Sequence, residues 1–364
     1  MHLADMGADV IKIEDTGAGD YARAMGRMRD GMSEIFRLLN RNKRGLRLDL
    51  KQSAGREVFL RLAKDAEVMV EGFRPGVMNK LGIGYESLAA INPRIVYCSI
   101  SGYGQNGPYR ERAGHDINYI GYAGVGDQIG AEGGATVLLN FQIADLLGGA
   151  ITPVMGILAA LVDSKTSGRG RYVDVAMTDA TFAHAVWPLY GLIEEGRPPA
   201  RGTARLSGGL PCYGLYATSD GRHMAVGALE AKFWQALCEA LGCPELKAEH
   251  LVYGSRAAPV KARLAEIFAS HTQQYWAERL SKVDCCVTPV LTIEEALQNE
   301  QLRSRAMVVQ ENGSPCLALP VKFSEFEFAI ERHAPRPGEH SEEILRESGY
   351  STAEIAVLRS QKVI

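Results

Sequence analysis

The sequence predicts an α/β protein whose core is a parallel sheet with helices on its faces, joined to a smaller α+β domain. Three observations carry that prediction. Short β-branched runs alternate with helical stretches through the first half of the chain, the pattern of a parallel sheet. The opening run, Val10-Ile-Lys-Ile-Glu14, ends in an acid, as the second strand of a doubly wound domain usually does. After a stretch rich in Pro, Gly and Arg at 197–211, the pattern changes to a hairpin followed by amphipathic helices.

In order, residues 1–14 give a helix end, a turn at Gly7 and that strand. Further strands are expected at 67–71 and 94–100, with helices at 53–63 and 85–90 between them. A long apolar stretch at 143–162 precedes a strand at 171–177. The hairpin joins 213–218 to 222–227 through Ser219-Asp220-Gly221, and helices follow at 231–241, 260–270 and 275–280. The tail is extended over 317–328 and ends in a polar helix over 339–359. The expected division is therefore a first part of a large domain at 1–185, a linker at 186–204, a small α+β domain at 205–300, and a return of the chain at 301–364.

Composition narrows the classes. The 364 residues are 46% hydrophobic and 23% charged, which excludes disordered, collagenous and coiled-coil chains. Forty Lys and Arg against 43 Asp and Glu give a net charge of -3, which argues against a general nucleic-acid binder. Seven Cys show neither CxxC nor a regular ladder and read as reduced thiols, so the expected location is the cytoplasm. The stretch at 143–162 holds Asp145, Gly148, Gly149 and Pro153, and a buried core helix is the expected reading over a membrane span. The chain carries no GxxxxGK[ST] phosphate loop, no placed GxGxxG, no Gly-x-Ser-x-Gly elbow and no His or Cys spacing suited to a metal.

Four groups remain as carriers of chemistry. Nine basic residues (Arg23, Arg27, Arg29, Arg37, Arg41, Lys43, Arg44, Arg47, Lys51) face three acids and suit either a phosphate-bearing ligand or a solvated face. His115 lies between Gly114 and Asp116, in a Gly-rich loop after the strand at 94–100. That is where α/β proteins place ligands, although a structural histidine fits as well. Asp145 sits in the first turn of the apolar helix, where amide dipoles favour its ionised form, with Gly148 and Gly149 permitting a close approach. Glu230 opens the helix that follows the hairpin, a position that a purely structural acid also occupies.

Together these stretches resemble the family III CoA-transferases (the CaiB/BaiF family), and within them the α-methylacyl-CoA racemase branch. The resemblance is carried by Gly7-Ala-Asp-Val-Ile-Lys-Ile-Glu14, Asn40-Arg-Asn-Lys-Arg-Gly-Leu-Arg-Leu-Asp-Leu-Lys51, Glu71-Gly-Phe-Arg-Pro-Gly-Val77, Ser99-Ile-Ser-Gly-Tyr-Gly-Gln105 and Gly168-Arg-Gly-Arg-Tyr-Val-Asp-Val-Ala-Met177. More selective for the racemase branch are Gly114-His-Asp-Ile-Asn-Tyr119 and Ala225-Val-Gly-Ala-Leu-Glu230. It implies a Rossmann-like large domain built from both chain ends, a smaller domain between, and two subunits interlocked like chain links. It also implies His115 and Asp145 as an acid–base pair, with Glu230 supporting the histidine in a site shared between subunits. CoA contacts carried over by the same resemblance are Leu48, Asp49, Leu50, Lys51, Phe73, Arg74, Pro75, Lys80, Gly114, Asp116, Ile117, Asn118 and Tyr119. Two departures stand out: the family's first strand lies ahead of Met1, and Asp15 occupies a position where some racemases carry Arg.

The implied reaction is racemisation of a 2-methylacyl-CoA through an enolate. It requires one proton acceptor on each face of the α-carbon. Glu230 or Asp116 would steady the imidazole, and amides at the helix start near Asp145 would hold the enolate oxygen. No metal or separate cofactor is required, since CoA enters with the substrate. The expected partners are the acyl-CoA and a second copy of the chain, with neither nucleic acid nor membrane. Two alternatives stand beside it: CoA transfer through a thioester on Asp145, and CoA or nucleotide binding without catalysis.

Overall fold

The computed structural model describes all 364 residues, which group into two compact units. The first comprises Met1–Tyr119, Ile143–Ala180 and Leu297–Ile364; the second comprises Ile120–Gln142 and Thr181–Ala296.

In the first unit, five parallel strands form two ladders. Strand β1 (Val10–Glu14) pairs with β2 (Lys43–Arg47), while β3 (Val68–Glu71) and β5 (Tyr172–Ala176) flank β4 (Val96–Ser101). The first four residues of β4 are buried, as a central parallel strand covered on both faces requires. Helices Ser53–Asp65 and Tyr85–Ile91 place Val58, Phe59 and Leu88 against Leu46, Leu48 and Ile95. The end of the chain closes the same core with Ile344, Leu345, Ile355 and Leu358. There the expected single helix is two, Ser341–Glu347 and Thr352–Ser360, because Gly349 turns the backbone at φ +81° and Ser351 caps a fresh start. Of the tail expected to be extended over 317–328, only Leu317 lies in a strand, the last residue of a hairpin that joins Val308–Glu311 to Ser314–Leu317; the rest is irregular apart from a bridge between Phe323 and Phe326.

The basic run belongs to this framework rather than to a phosphate cradle. Part of it is β2, which the charge had obscured. The buried Arg41 guanidinium holds the buried carboxylate of Asp5 at 2.8 Å. Arg44 bridges Asp9, Glu343 and Glu347, and Arg23 holds Glu14 at 2.6 Å. Arg29, Arg37, Lys43 and Arg47 donate to carbonyls or side chains of the same unit, leaving Arg27 and Lys51 exposed.

The apolar stretch also departs from expectation. A π-helical segment, Ala144–Ile151, runs into the α-helix Thr152–Ser167, and the 24 residues are long and apolar enough to cross a membrane by length and composition. Only one side is packed: Ile157 and Ala160 meet Val96, Cys98 and Val175. Ile151, Met155, Leu158 and Val162, spaced at i, i+4, i+7 and i+11, form an exposed stripe, so this is not a buried core helix within one chain.

In the second unit, β6 (Tyr213–Ala217), β7 (His223–Gly227) and β8 (Val287–Pro289) make an antiparallel sheet in the order β8-β7-β6. Helices Ala231–Leu241, Ala257–Ala269 and Gln273–Leu280 cover it with Trp234, Phe268 and Trp276. Part of the expected linker is a helix, Val186–Glu195, stopped by Gly196 at φ +68°.

Because Arg41 and Asp5 are both buried, removing one partner strands the other charge. Asp5→Ala is expected to lower the free energy of unfolding by about 3–5 kcal/mol, read from urea denaturation midpoints.

Candidate active site

The site is built from loops that leave the carboxyl ends of the parallel strands, where the positive ends of following helices and the sheet crevice favour ligands. Beyond β2 come buried Leu48, then Asp49, Leu50 and exposed Lys51; the amide of Lys51 donates to Asp49 Oδ1 at 3.0 Å. Beyond β3 come Phe73 and Arg74, both exposed, then Pro75, with Lys80 closing the short helix Val77–Lys80. Beyond β4 runs the glycine-rich loop that ends in Gly114 and His115.

That loop is wrapped on one aromatic ring. The Tyr119 hydroxyl donates to the Gly114 carbonyl at 2.5 Å. A Cβ at Gly102 would lie 2.4 Å from the Tyr119 ring, and one at Gly114 2.6 Å from it, so both positions need glycine to let the backbone lie against it. His115 then starts the helix Asp116–Tyr122: its amide donates to Asn118 Oδ1 at 3.0 Å, and its carbonyl accepts from the Asn118 amide at 2.8 Å. The imidazole and Ile117 are left open to solvent.

Asp116 has a different duty from the one expected. Its Oδ1 accepts from the amides of Ala144 and Asp145 at 2.7 and 3.1 Å. It therefore ties the helix that follows His115 to the segment that carries Asp145. The same contact takes up the two helix-start amides assigned above to an enolate oxygen. It also reverses the electrostatics expected for Asp145. With Asp116 on the amides, burial raises the Asp145 carboxyl above its usual range, the Asp116 charge raises it further, and the charge of His115 opposes both. His115, Asp116 and Asp145 are thus one electrostatic cluster.

Gly148 and Gly149 answer to packing. A Cβ at Gly148 would lie 2.7 Å from the Met177 backbone, and one at Gly149 would lie 3.1 Å from Met177 Sδ. Glu230 lies in the second unit, exposed at the start of the helix Ala231–Leu241, with its carbonyl accepting from the Phe233 and Trp234 amides. No cluster of three or more His, Cys, Asp or Glu suited to a metal is present.

The sequence reading missed the face of the sheet beneath these loops. Glu71 and Asp174 stand there, each accepting from a loop amide, and Glu71 lines a cavity of about 320 Å³ together with Arg74, Tyr85, Tyr97, Ser99, Gln105 and Tyr172 among others. The signal was an acid inside each of two strands whose faces ought to be apolar.

Residues 1–341 match the family profile of CoA-transferase family III. The chain belongs to that family. Among its relatives, the α-methylacyl-CoA racemase of Homo sapiens is 36% identical over 370 residues, spanning 100% of this chain and 92% of the human protein. The acetyl-CoA:oxalate CoA-transferase of Acetobacter aceti is 32% identical, spanning 95% and 90%. The crystal structure of a CaiB/BaiF family protein from Brucella suis superposes with a TM-score of 0.83 at 30% identity, covering 95% of this chain and 93% of that one. Family III therefore supplies an acyl-CoA enzyme with a mixed α/β fold.

Asp145 offers a direct check on its surroundings. A carboxyl raised in the folded state binds more protons than in the unfolded chain, so its contribution to stability falls as pH climbs from the unfolded value to the folded one. Asp145→Asn is expected to melt higher than the wild type near pH 7, with the gap closing below about pH 4, as thermal melts at the two pH values would show.

Proposed function

We propose that the protein interconverts the two enantiomers of a 2-methylacyl-CoA, with His115 and Asp145 as the two acid–base groups. The observation that carries this reading is their placement: one ionisable group of each kind, on adjoining elements tied by Asp116, at the carboxyl ends of parallel strands. The 36% identity to α-methylacyl-CoA racemases supports it. Thioester CoA is to lie along the ends of β2 and β3, over Leu48–Lys51 and Phe73–Pro75, and is part of the substrate; no metal or separate cofactor is proposed.

The chemistry follows from the two groups. In one direction the neutral imidazole of His115 takes the α-proton while protonated Asp145 returns one to the opposite face; in the other the roles exchange. A carboxyl with a raised pKa suits both halves, since it must be a proton donor in one direction and an acceptor in the other. Glu230, exposed on the second unit, is proposed to steady the His115 imidazolium of a partner subunit.

The exposed stripe Ile151, Met155, Leu158 and Val162, and the exposed Trp187, Leu189, Leu192 and Ile193 of the helix Val186–Glu195, support a homodimer. Light scattering without detergent should then give twice the 39.6 kDa chain mass. A monomer, or a particle stable only in detergent, would refute the dimer.

One observation favours a second reading, CoA transfer between carboxylic acids. A raised carboxylate is also a better nucleophile, and transferases at 32–33% identity stand among the relatives. Incubation with a 2-methylacyl-CoA in deuterated water separates the two. Racemisation predicts deuterium at the α-carbon, reduced on the order of 10²–10⁴-fold by His115→Ala. Transfer predicts no label, and inactivation by hydroxylamine once acyl-CoA has loaded Asp145 as a thioester.

A further inference from the structure

The ladder register puts Glu71 opposite Ser99 and Ser99 opposite Asp174, so the three side chains share one face of the β3–β4–β5 sheet. Two carboxylates on one face of a parallel sheet repel each other and displace apolar packing, so the arrangement calls for a compensating role. Each carboxylate reaches past the end of its ladder to a different loop. Glu71 Oε2 accepts from the Phe73 amide at 2.7 Å, and Oε1 accepts from the Ser99 hydroxyl, which in turn accepts from the Tyr172 hydroxyl at 3.0 Å. Asp174 Oδ2 accepts from the Gln105 amide at 3.1 Å, two rows away in the loop that leads to His115. Burial raises the Glu71 carboxyl and the Asp174 charge adds to it, while the hydrogen bonds from the Ser99 hydroxyl and then the Phe73 amide pull it part of the way back.

We propose that Glu71 and Asp174 are two separate positioning residues: Glu71 fixes the Phe73–Arg74 turn that receives CoA, and Asp174 fixes the loop that delivers His115. The inference rests on the acyl-CoA reading above. Each acts through the backbone amide it holds, Phe73 for Glu71 and Gln105 for Asp174. The two loops leave adjacent strands, yet each has its own anchor, so their effects separate. Loosening the turn after β3 weakens contacts made equally before and during reaction, which raises the dissociation constant and leaves turnover alone. Loosening the loop after β4 displaces the proton-transferring group, so turnover falls by much more than the affinity contributed by the CoA contacts expected at 114–119.

The test uses the full chain, free CoA as calorimetric probe, and α-deuterium exchange of a saturating 2-methylacyl-CoA as turnover. Glu71→Ala is expected to weaken CoA about tenfold with exchange within about twofold of wild type, and Glu71→Gln, which keeps a carbonyl oxygen for the Phe73 amide, to restore binding. Asp174→Ala is expected to slow exchange about tenfold or more while CoA affinity falls by no more than about threefold, and Asp174→Asn to restore exchange. Should either Ala variant fail to fold, Glu71→Asp or Asp174→Ser, each too short to reach its amide, replaces it. Equal losses of affinity and turnover in both, or no rescue by the amide variants, would mark a merely structural role and overturn the proposal. Wild type that binds CoA while Glu71→Ala binds it equally well overturns this inference alone; wild type that does not bind CoA overturns the acyl-CoA reading beneath it.

Discussion

The contact on which the candidate site depends is the one between the Asp116 carboxylate and the amides of Ala144 and Asp145. Without it, the helix after His115 and the segment carrying Asp145 would be separate elements joined through an exposed excursion at 129–142. A carboxylate accepting two amides at a helix start is a strong, charge-assisted link. It has a second effect that follows from simple electrostatics. The positive end of the helix is neutralised before Asp145 can use it, so Asp145 feels a neighbouring anion instead of a helix dipole. One interaction therefore helps to place Asp145 and adds to the rise that burial already gives its carboxyl.

The same economy of charge runs through the basic stretch after Arg23. Five guanidinium groups there join segments far apart in the chain: Arg41 reaches Asp5 and the Leu317 carbonyl, Arg44 reaches Asp9, Glu343 and Glu347. Arg23 and Arg29 likewise reach the Pro335 and Asn312 carbonyls, and Arg47 the Thr16 and Gly17 carbonyls. These clamps fasten the returning tail onto β1 and β2. A charge cluster in a sequence is equally compatible with a ligand or with distant acids, because the partners are invisible until the chain folds. Arginine serves the second purpose well, since its fork can hold several carboxylates or carbonyls at once.

Local periodicity made most elements legible. The strands at 68–71, 96–101 and 172–176, the hairpin at 213–227 and the helix Ala231–Leu241 lie where alternation and amphipathicity put them. Strand β2 was hidden because Lys43-Arg44-Gly45 lacks the apolar alternation; its side chains are neutralised by tertiary partners, which no local window contains. The break at Gly349 and the π-helical start at Ala144 were likewise beyond a period count. At the site, the residues His115 and Asp145 were legible through motif, but the duties of Asp116, Glu71 and Asp174 were not, since each acts on a backbone amide 2 to 69 positions away. Amide acceptors leave no signature in sequence except an acid where a neutral residue would pack better.

The distinction between the two chemistries open to this family comes down to what stands opposite Asp145. A nucleophilic carboxylate needs only an electrophile and room to approach it, and a second base nearby is superfluous. A proton-exchanging carboxylate needs a counterpart of comparable proton affinity, because each must leave the cycle ready for the other's role. Raising a carboxyl from its ordinary value brings it toward the range of an imidazole, and the elements that do this here are burial and Asp116, the residue that also follows His115. The His115 charge opposes the shift, so the two side chains act on each other electrostatically. A lone nucleophile does not require such an interaction, whereas a pair that alternates between donor and acceptor uses it.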